Sequence, residues 1–521
     1  MAKWISSREL RRYWLEKREI ALLDVRGEGP YADCHPLFAV SVPISEIEEK
    51  LPPLVPRLSA PIVVYDDGEG YVERAATRIS ALGYSSVAIL EGGLAAYYRV
   101  GEVYRDVNVP SKAFGELVEA IRHTPSLPAK DVKEIIDTRD DVVVVDARRF
   151  EEYNTMSIPR GRSCPGGELV YRIHDAAPSP ETLVIVNCAG RTRSIIGTQS
   201  LINAGVPNKV LALRNGTIGW TLEGLEVDRG KTERLPEPSE DARSRAFENA
   251  DRWAKNVGVL IISSEQLARF RNEAETRTLY TFDVRDPREY SRGSPAGFVS
   301  APGGQLVQAV DEWVGVRGAR IVLYDDDGIR ARMTASWLLQ MGWDVYVLNE
   351  NAEMPGTPPM PQAPRIRLPA NAAVTVADYK TRGDMAVFDL ARSPAYRKGH
   401  IPGAYYASGP ELVRDLKAVP GTGPILLTSP NGVVAAANVA HARLAVSREI
   451  HYLSGGTTAW EQAGNTLETE TRWLSVPKDV YKRPYEGIDN AQANMQSYID
   501  WELQLVAQLA NDGVAGFHVV R

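Results

Sequence analysis

Four times along this 521-residue chain a short apolar strand ends in Asp, and at a nearly fixed distance a second apolar strand follows. The first strands are Ala21-Leu-Leu-Asp24, Val143-Val-Val-Asp146, Tyr280-Thr-Phe-Asp283 and Ala386-Val-Phe-Asp389. The second are Ile62-Val-Val-Tyr65, Val184-Ile-Val-Asn187, Ile321-Val-Leu-Tyr324 and Ile425-Leu-Leu-Thr428. The residues after them, Asp66, Cys188, Asp325 and Ser429, lie 42, 42, 42 and 40 positions beyond the Asp. Such a repeat constrains the fold before any local detail, because one supersecondary unit is being copied. After each second strand comes a helical stretch, ending near Gly83, Gly205 and Gly342 in the first three copies, and then a third strand at Val87, Val210, Val345 and Ile450. Strands alternating with helices predict an α/β unit with a parallel sheet in each copy.

The copies are not chemically equal. In the second, Val184-Ile-Val-Asn-Cys-Ala-Gly-Arg-Thr-Arg-Ser194 reads as a buried strand, a tight polar loop and the start of a helix. Successive backbone N–H groups in a loop that opens a helix form an anion-binding concavity. Those dipoles and two guanidiniums, Arg191 and Arg193, are expected to push Cys188 towards thiolate, the nucleophilic form. Ser194 is expected to cap the helix. The equivalent loops hold Asp66, Asp325 and Ser429. A carboxylate there is expected to repel the anion that the concavity attracts. Ser429 has no visible base to activate it, and Pro430 removes a donor. These three copies are read as catalytically silent scaffold. The rival reading, a cation on Asp325 to Asp327, ranks behind solvated acidic loops.

Cys-Ala-Gly-Arg-Thr-Arg-Ser resembles the active-site loop of the rhodanese sulfurtransferase family, in which a Cys and an Arg are separated by four residues, as in Cys188-x-x-x-x-Arg193. Related phosphatases of that fold have five intervening residues, so the count favours sulfur over phosphorus. The Gly-x-x-x-Trp pattern after the third strand, at Gly216 and Trp220, and His400-Ile-Pro-Gly-Ala404 also match that family. The resemblance implies an α/β protein of four tandem rhodanese-like domains, each a parallel-sheet unit, with a C-terminal helical extension. The expected bounds are 1–108 (inactive), 120–230 (catalytic), 255–350 (inactive), 370–472 (inactive) and 473–521 (extension).

Further residues carry weaker expectations. An Arg lies two residues beyond the strand-end Asp, at Arg26, Arg148 and Arg285, and one residue later at Arg392. Because it recurs in silent copies it is read as structural. Cys164, in a Pro-Gly-Gly turn whose counterpart in the third copy has Ala301, could receive or resolve a persulfide; a small residue in a turn is the blander reading. Cys34 is taken as structural. Asn187 and Trp220 could border the cleft. Linkers are expected at 108–112, 229–243 and the Pro-rich 351–369, where Glu353-Met-Pro-Gly356 replaces the usual Gly-Gly turn. A single helix is expected over 491–509, with Met495, Tyr498, Trp501, Leu505 and Leu509 near one face.

Composition narrows the partners. A net charge of −7 argues against a nucleic-acid or anionic-membrane partner. Three cysteines in this length do not make a disulfide framework, and the first residues lack a signal-peptide core, so a cytoplasmic location is expected. The expected activity is transfer of a sulfane sulfur from thiosulfate or a similar anionic donor to cyanide or a thiol, through a persulfide on Cys188. The loop residues Ala189, Gly190, Arg191, Thr192, Arg193 and Ser194 would bind the substrate, with neither metal nor organic cofactor. Two alternatives stay open, a persulfide carrier or sensor and a Cys-dependent phosphatase or arsenate reductase. A homodimer through the silent domains or the C-terminal helix is also entertained.

Overall fold

Five short strands assemble into a parallel sheet in each copy of the repeat, and all four sheets share one order: counted along the copy, the first, fifth, fourth, second and third strands lie side by side. In the second copy these are Ser126–Leu127, Val210–Leu213, Leu183–Asn187, Val142–Asp146 and Gly161–Ser163. The three apolar strands legible in each copy form the middle of its sheet. The edge strands were not legible, because two or three residues carry no period. Leu183–Asn187 is buried at every residue, as a central parallel strand covered on both faces must be.

The computed structural model describes residues 3–349, 366, 368–483 and 491–521. Most of the expected 351–369 linker, including Glu353-Met-Pro-Gly356, lies outside them. The chain divides into two units. One comprises Met1–Leu10, Ile20–Val107 and Pro361–Lys482, and so pairs the first copy with the fourth; the other comprises Arg11–Glu19, Asn108–Met360 and Arg483–Arg521, and pairs the second with the third. The expected linker at 108–112 is instead the first turn of a helix, Val109–Arg122, whose Val109, Ala113, Phe114 and Val118 are fully buried. Pro110 fits there because an N-terminal turn needs no amide from it.

The strand-end Asp–Arg pair is structural, as expected. Arg148 donates from Nε and Nη2 to the two oxygens of Asp146 (2.8 and 2.7 Å) and on to the Met156 carbonyl eight residues ahead. Arg26 and Arg285 do the same to Asp24 and Asp283, and to the carbonyls of Cys34 and Gly293. Each guanidinium thus staples a turn. In the fourth copy the one-residue delay turns Arg392 away from Asp389. It pairs with Glu28 (2.6 Å) and Glu46 (3.2 Å) of the first copy instead, and burial leaves Asp389 with a pKa raised to about 6.

The C-terminal extension is two helices, Ala491–Glu502 and Leu505–Asp512, rather than one. Gly513, at φ +70°, ends the second. Met495 and Ile499 pack on Ile218 of the second copy, and Phe517 meets Phe114 edge to face at 5.5 Å. The apolar face offered above for a homodimer is therefore covered within the chain. Among the described residues no helix is long and apolar enough to cross a membrane.

Candidate active site

Cys188 follows the central strand Leu183–Asn187, and the helix Thr192–Ala204 begins four residues later. What shapes the loop between them is a second helix, Gly216–Leu222. Its first turn takes up the loop's carbonyls: Thr217 N–H donates to the Cys188 oxygen and Ile218 N–H to the Ala189 oxygen, both at 2.8 Å, and the Thr217 hydroxyl adds a bond to Cys188 O at 3.0 Å. With those carbonyls taken up, the backbone amide of Ser194 is directed at the sulfur. Gly216, at φ +56°, has to be Gly, since a Cβ would strike the carbonyl oxygens of Cys188 and Gly190. Gly93 and Gly456 stand in the same way against Asp66 and Ser429, which gives the Gly turns found in the sequence a physical reason.

The side chain of Cys188 lies under this loop, 1% exposed. Its surroundings are polar. The thiol donates to the Ser194 hydroxyl at 3.5 Å, and that hydroxyl donates to the Arg191 carbonyl at 2.8 Å. Ser194 therefore serves the sulfur rather than capping the helix, which starts two residues earlier. The expected thiolate is not the resting form. Burial pushes the thiol above its ordinary value, and the nearby Arg193 charge and the hydrogen bonds with Ser194 only partly oppose that.

Both guanidiniums are already engaged. Arg191 forms a fork with Glu116 (2.8 Å to each oxygen), adds Glu119, and donates to Asn215 at 3.0 Å. Its donors, expected for a substrate, are taken up by these side chains. Arg193 grips Glu152 through two bonds of 2.7 and 2.9 Å. Burial would raise Glu152, but Arg193, with Arg148 and Arg149 behind it, holds that carboxyl at about 2. Arg330 of the third copy grips Glu289 in the same way, at 2.7 and 3.0 Å. Glu152 and Glu289 both stand six residues past the strand-end Asp, while Arg193 and Arg330 both stand five past the loop's first position. The other two copies have Pro30 with Tyr71, and Ala395 with Val434, so the pair is kept or lost together. Position-by-position comparison of the repeats could have found Glu152. Nothing in the sequence pointed to Glu116 or Glu119, whose segment lies outside the repeat.

The silent copies keep the inward amide. Asp325 accepts from Gly328 N–H (3.0 Å) and Ala331 N–H (2.9 Å), and Ser429 accepts from Ala435 N–H (3.2 Å). Asp66 accepts from Tyr71 N–H at 2.7 Å and Gly68 N–H at 3.2 Å. The carboxylates do not merely repel an incoming anion, as expected above; they occupy its place. Asp327 is paired with Arg330 at 2.5 Å, so the acidic loop has a guanidinium beside it.

The remaining candidates take plain structural places. Cys164 is fully buried in the apolar core with Val145, Leu169 and Val186, and burial pushes its thiol far up, which does not suit a persulfide acceptor. Trp220 is fully buried and donates to the Glu226 carbonyl, and Asn187 bonds Asp146 at 3.0 Å; neither borders an opening. Cys34 is half-buried in the first copy, and all three cysteines are free thiols. A shallow apolar cleft adjoins Thr192 and Arg193, walled by Phe114 of the helix Val109–Arg122, Ile196 of the second copy and Val307, Met333 and Trp337 of the third.

A model of the rhodanese-like domain matches this chain four times, at residues 8–99, 128–223, 263–351 and 373–463. The chain belongs to the rhodanese family. Among solved structures it is similar to a thiosulfate sulfurtransferase from Pseudomonas aeruginosa, 48% identical over 100% of both chains with a TM-score of 0.95. Single rhodanese units also align with shorter proteins. The Alr3790 protein from Anabaena sp. is 26% identical over 20% of this chain and 93% of its own, with a TM-score of 0.19. The BH2092 protein from Bacillus halodurans is 25% identical over 22% and 85%, with a TM-score of 0.19. No curated protein matches the chain.

Proposed function

We propose that this rhodanese-type sulfurtransferase carries sulfur on Cys188, taking it from thiosulfate or a similar anionic donor and passing it to cyanide or a small thiol. The observation that carries the reading is the cradle itself: in three copies an oxygen of Asp66, Asp325 or Ser429 accepts its amides, and only in the second does a nucleophilic sulfur lie there. The thiol first gives up its proton to solvent. The thiolate attacks the outer sulfur of thiosulfate; a Cys188 S–S bond forms, the sulfur–sulfonate bond breaks, and sulfite departs with the electron pair. The acceptor then attacks the outer persulfide sulfur and the Cys188 thiolate leaves. The amides of Ala189, Gly190, Thr192 and Ser194 stabilise the anion in both halves. Arg193, fixed by Glu152, supplies a positive charge beside the sulfur, and Arg191 orders the loop. The apolar cleft next to Arg193 suits the organic body of a thiol acceptor. The domains run as bounded above, with the second catalytic, and free thiols fit a reducing, cytoplasmic location.

Intact-peptide mass spectrometry after thiosulfate treatment tests this. The Cys188 peptide gains one sulfur, and the Cys188→Ser protein gains none. Arg193→Ala lowers kcat/KM for thiosulfate by about 1.5–3 kcal/mol. A sulfur on Cys34 or Cys164 in place of Cys188 would overturn the assignment.

A further inference from the structure

The helix Ala491–Glu502 lies outside all four rhodanese repeats, yet it reaches the Cys188 loop. A Cβ on Gly190 would sit 3.2 Å from Tyr498 Cε1 and 3.4 Å from Glu502 Oε2. Glu502 is fully buried. Its Oε1 accepts from the Tyr498 hydroxyl at 2.9 Å, while its Oε2 has no hydrogen-bond partner among the described residues. The groups facing it are Lys112 and Glu116 from the helix Val109–Arg122, Arg191 from the loop and Tyr498 from its own helix. Glu119 joins the cluster through Arg191.

This cluster holds two cations, Lys112 and Arg191, against three carboxyls. Glu116 and Glu119 both pair with Arg191, and Lys112 acts on the buried Asp311 as well as on Glu502. A third negative charge, on Glu502, would leave the cluster with more anions than cations. Burial and the Glu116 charge accordingly push Glu502 up to about 8, against the pull of Lys112, Tyr498 and Arg191. A buried carboxyl kept neutral is compatible with an anion-binding loop; an ionised one opposes it.

We propose that Glu502 is a positioning residue of the Cys188 site: in its neutral form it completes the packing behind Gly190 and keeps Arg191 with Glu116, and on ionising it weakens the loop's hold on negative charge. Cys188 is taken as the sulfur-carrying residue, as proposed above. The extension thereby gives the site an upper pH limit that the rhodanese unit alone does not encode.

The full-length protein and Glu502→Gln, which has the shape of the neutral acid, are alkylated with iodoacetamide from pH 6.5 to 9.5. The rate at the Cys188 peptide is followed by mass spectrometry. The ratio of variant to wild-type rate rises by about three-fold or more across that range, because only the wild type places a new negative charge beside the loop. A ratio constant with pH overturns the proposal, since loss of packing alone would shift the rate equally at every pH. Glu502→Asp, which restores the carboxyl, brings back the wild-type profile; a profile matching Glu502→Gln also overturns it. Alkylation uses no sulfur donor, so a failure here is distinct from failure of the Cys188 persulfide reading.

Discussion

Replacing Glu152 with Gln tests how the site holds its charge. The carboxyl is only 14% exposed and accepts two short bonds from Arg193. Its pKa falls from an ordinary 4.5 to about 2. A carboxyl that is more acidic folded than unfolded adds stability in full above pH 4.5 and loses it as pH drops towards 2. At neutral pH the contribution is about 2–3 kcal/mol after allowing for its contact with solvent. Glu152→Gln should therefore be less stable than wild type by roughly that amount at pH 7, with the gap closing by pH 2–3. Hydrogen exchange in the helix Phe150–Thr155, corrected for intrinsic rates, reads the difference locally, which matters because a multidomain chain need not unfold in one step. The same substitution also removes the negative charge that offsets Arg193. Arg193 then acts more strongly on Cys188, whose thiol becomes more acidic and alkylates faster at neutral pH. A protein less stable yet more reactive is the expected result. A stability gap that does not change between pH 7 and pH 3 would refute the linkage, and a slower thiol would refute the assignment of Arg193 as the charge beside the sulfur.

Other consequences are simpler. Arg330, fully buried, joins Glu168 of the second copy (3.1 Å) to Glu289 of the third and lies over the Tyr171 ring at 4.5 Å. Arg330→Ala strands several buried carboxylates and should cost about 3–5 kcal/mol in urea denaturation; a loss within 1 kcal/mol would show that the clamp carries no net energy. Cys164→Ala should leave sulfur loading of Cys188 within about two-fold while costing about 1 kcal/mol of stability, as for other small losses of buried volume. Loss of loading would return Cys164 to the chemistry.

The parts of the fold legible in the sequence were those with a period. Four apolar strand pairs at a constant offset gave the sheets, and the Asp–Arg staples repeated often enough to be read as structure. What the sequence withheld depends on contacts far along the chain. No local pattern says that the first copy pairs with the fourth, or that a helix at 491–502 will lie on a loop at 190. For the same reason Arg191 and Arg193 looked free for substrate. A guanidinium in a tight loop advertises its charge, while the carboxylate that answers it sits 41 residues away for Arg193 and 75 for the Arg191–Glu116 pair. The extension departs from its expected single helix more narrowly. Its apolar spacing runs across the break, but Leu503 and Gln504 leave the helix and turn the second segment.

The silent copies explain why so little sequence separates scaffold from site. In every copy an amide at the start of the helix aims at the side chain leaving the second strand, and that donor must be answered if the loop is to stay buried. Aspartate answers it from within: Asp66 and Asp325 each draw two amides to their two oxygens, and Arg330 binds the acidic residues beside Asp325. Such a loop is complete and has no room for another anion. Cysteine answers the same donor weakly, since a neutral thiol is a poor acceptor. The cradle around Cys188 is therefore the least satisfied of the four in its resting state. It is best satisfied when the sulfur is charged, as thiolate or as persulfide. A sulfur in place of a carboxylate at the strand tip turns a closed structural loop into one whose hydrogen bonding, on the proposed mechanism, improves as the sulfur takes up charge.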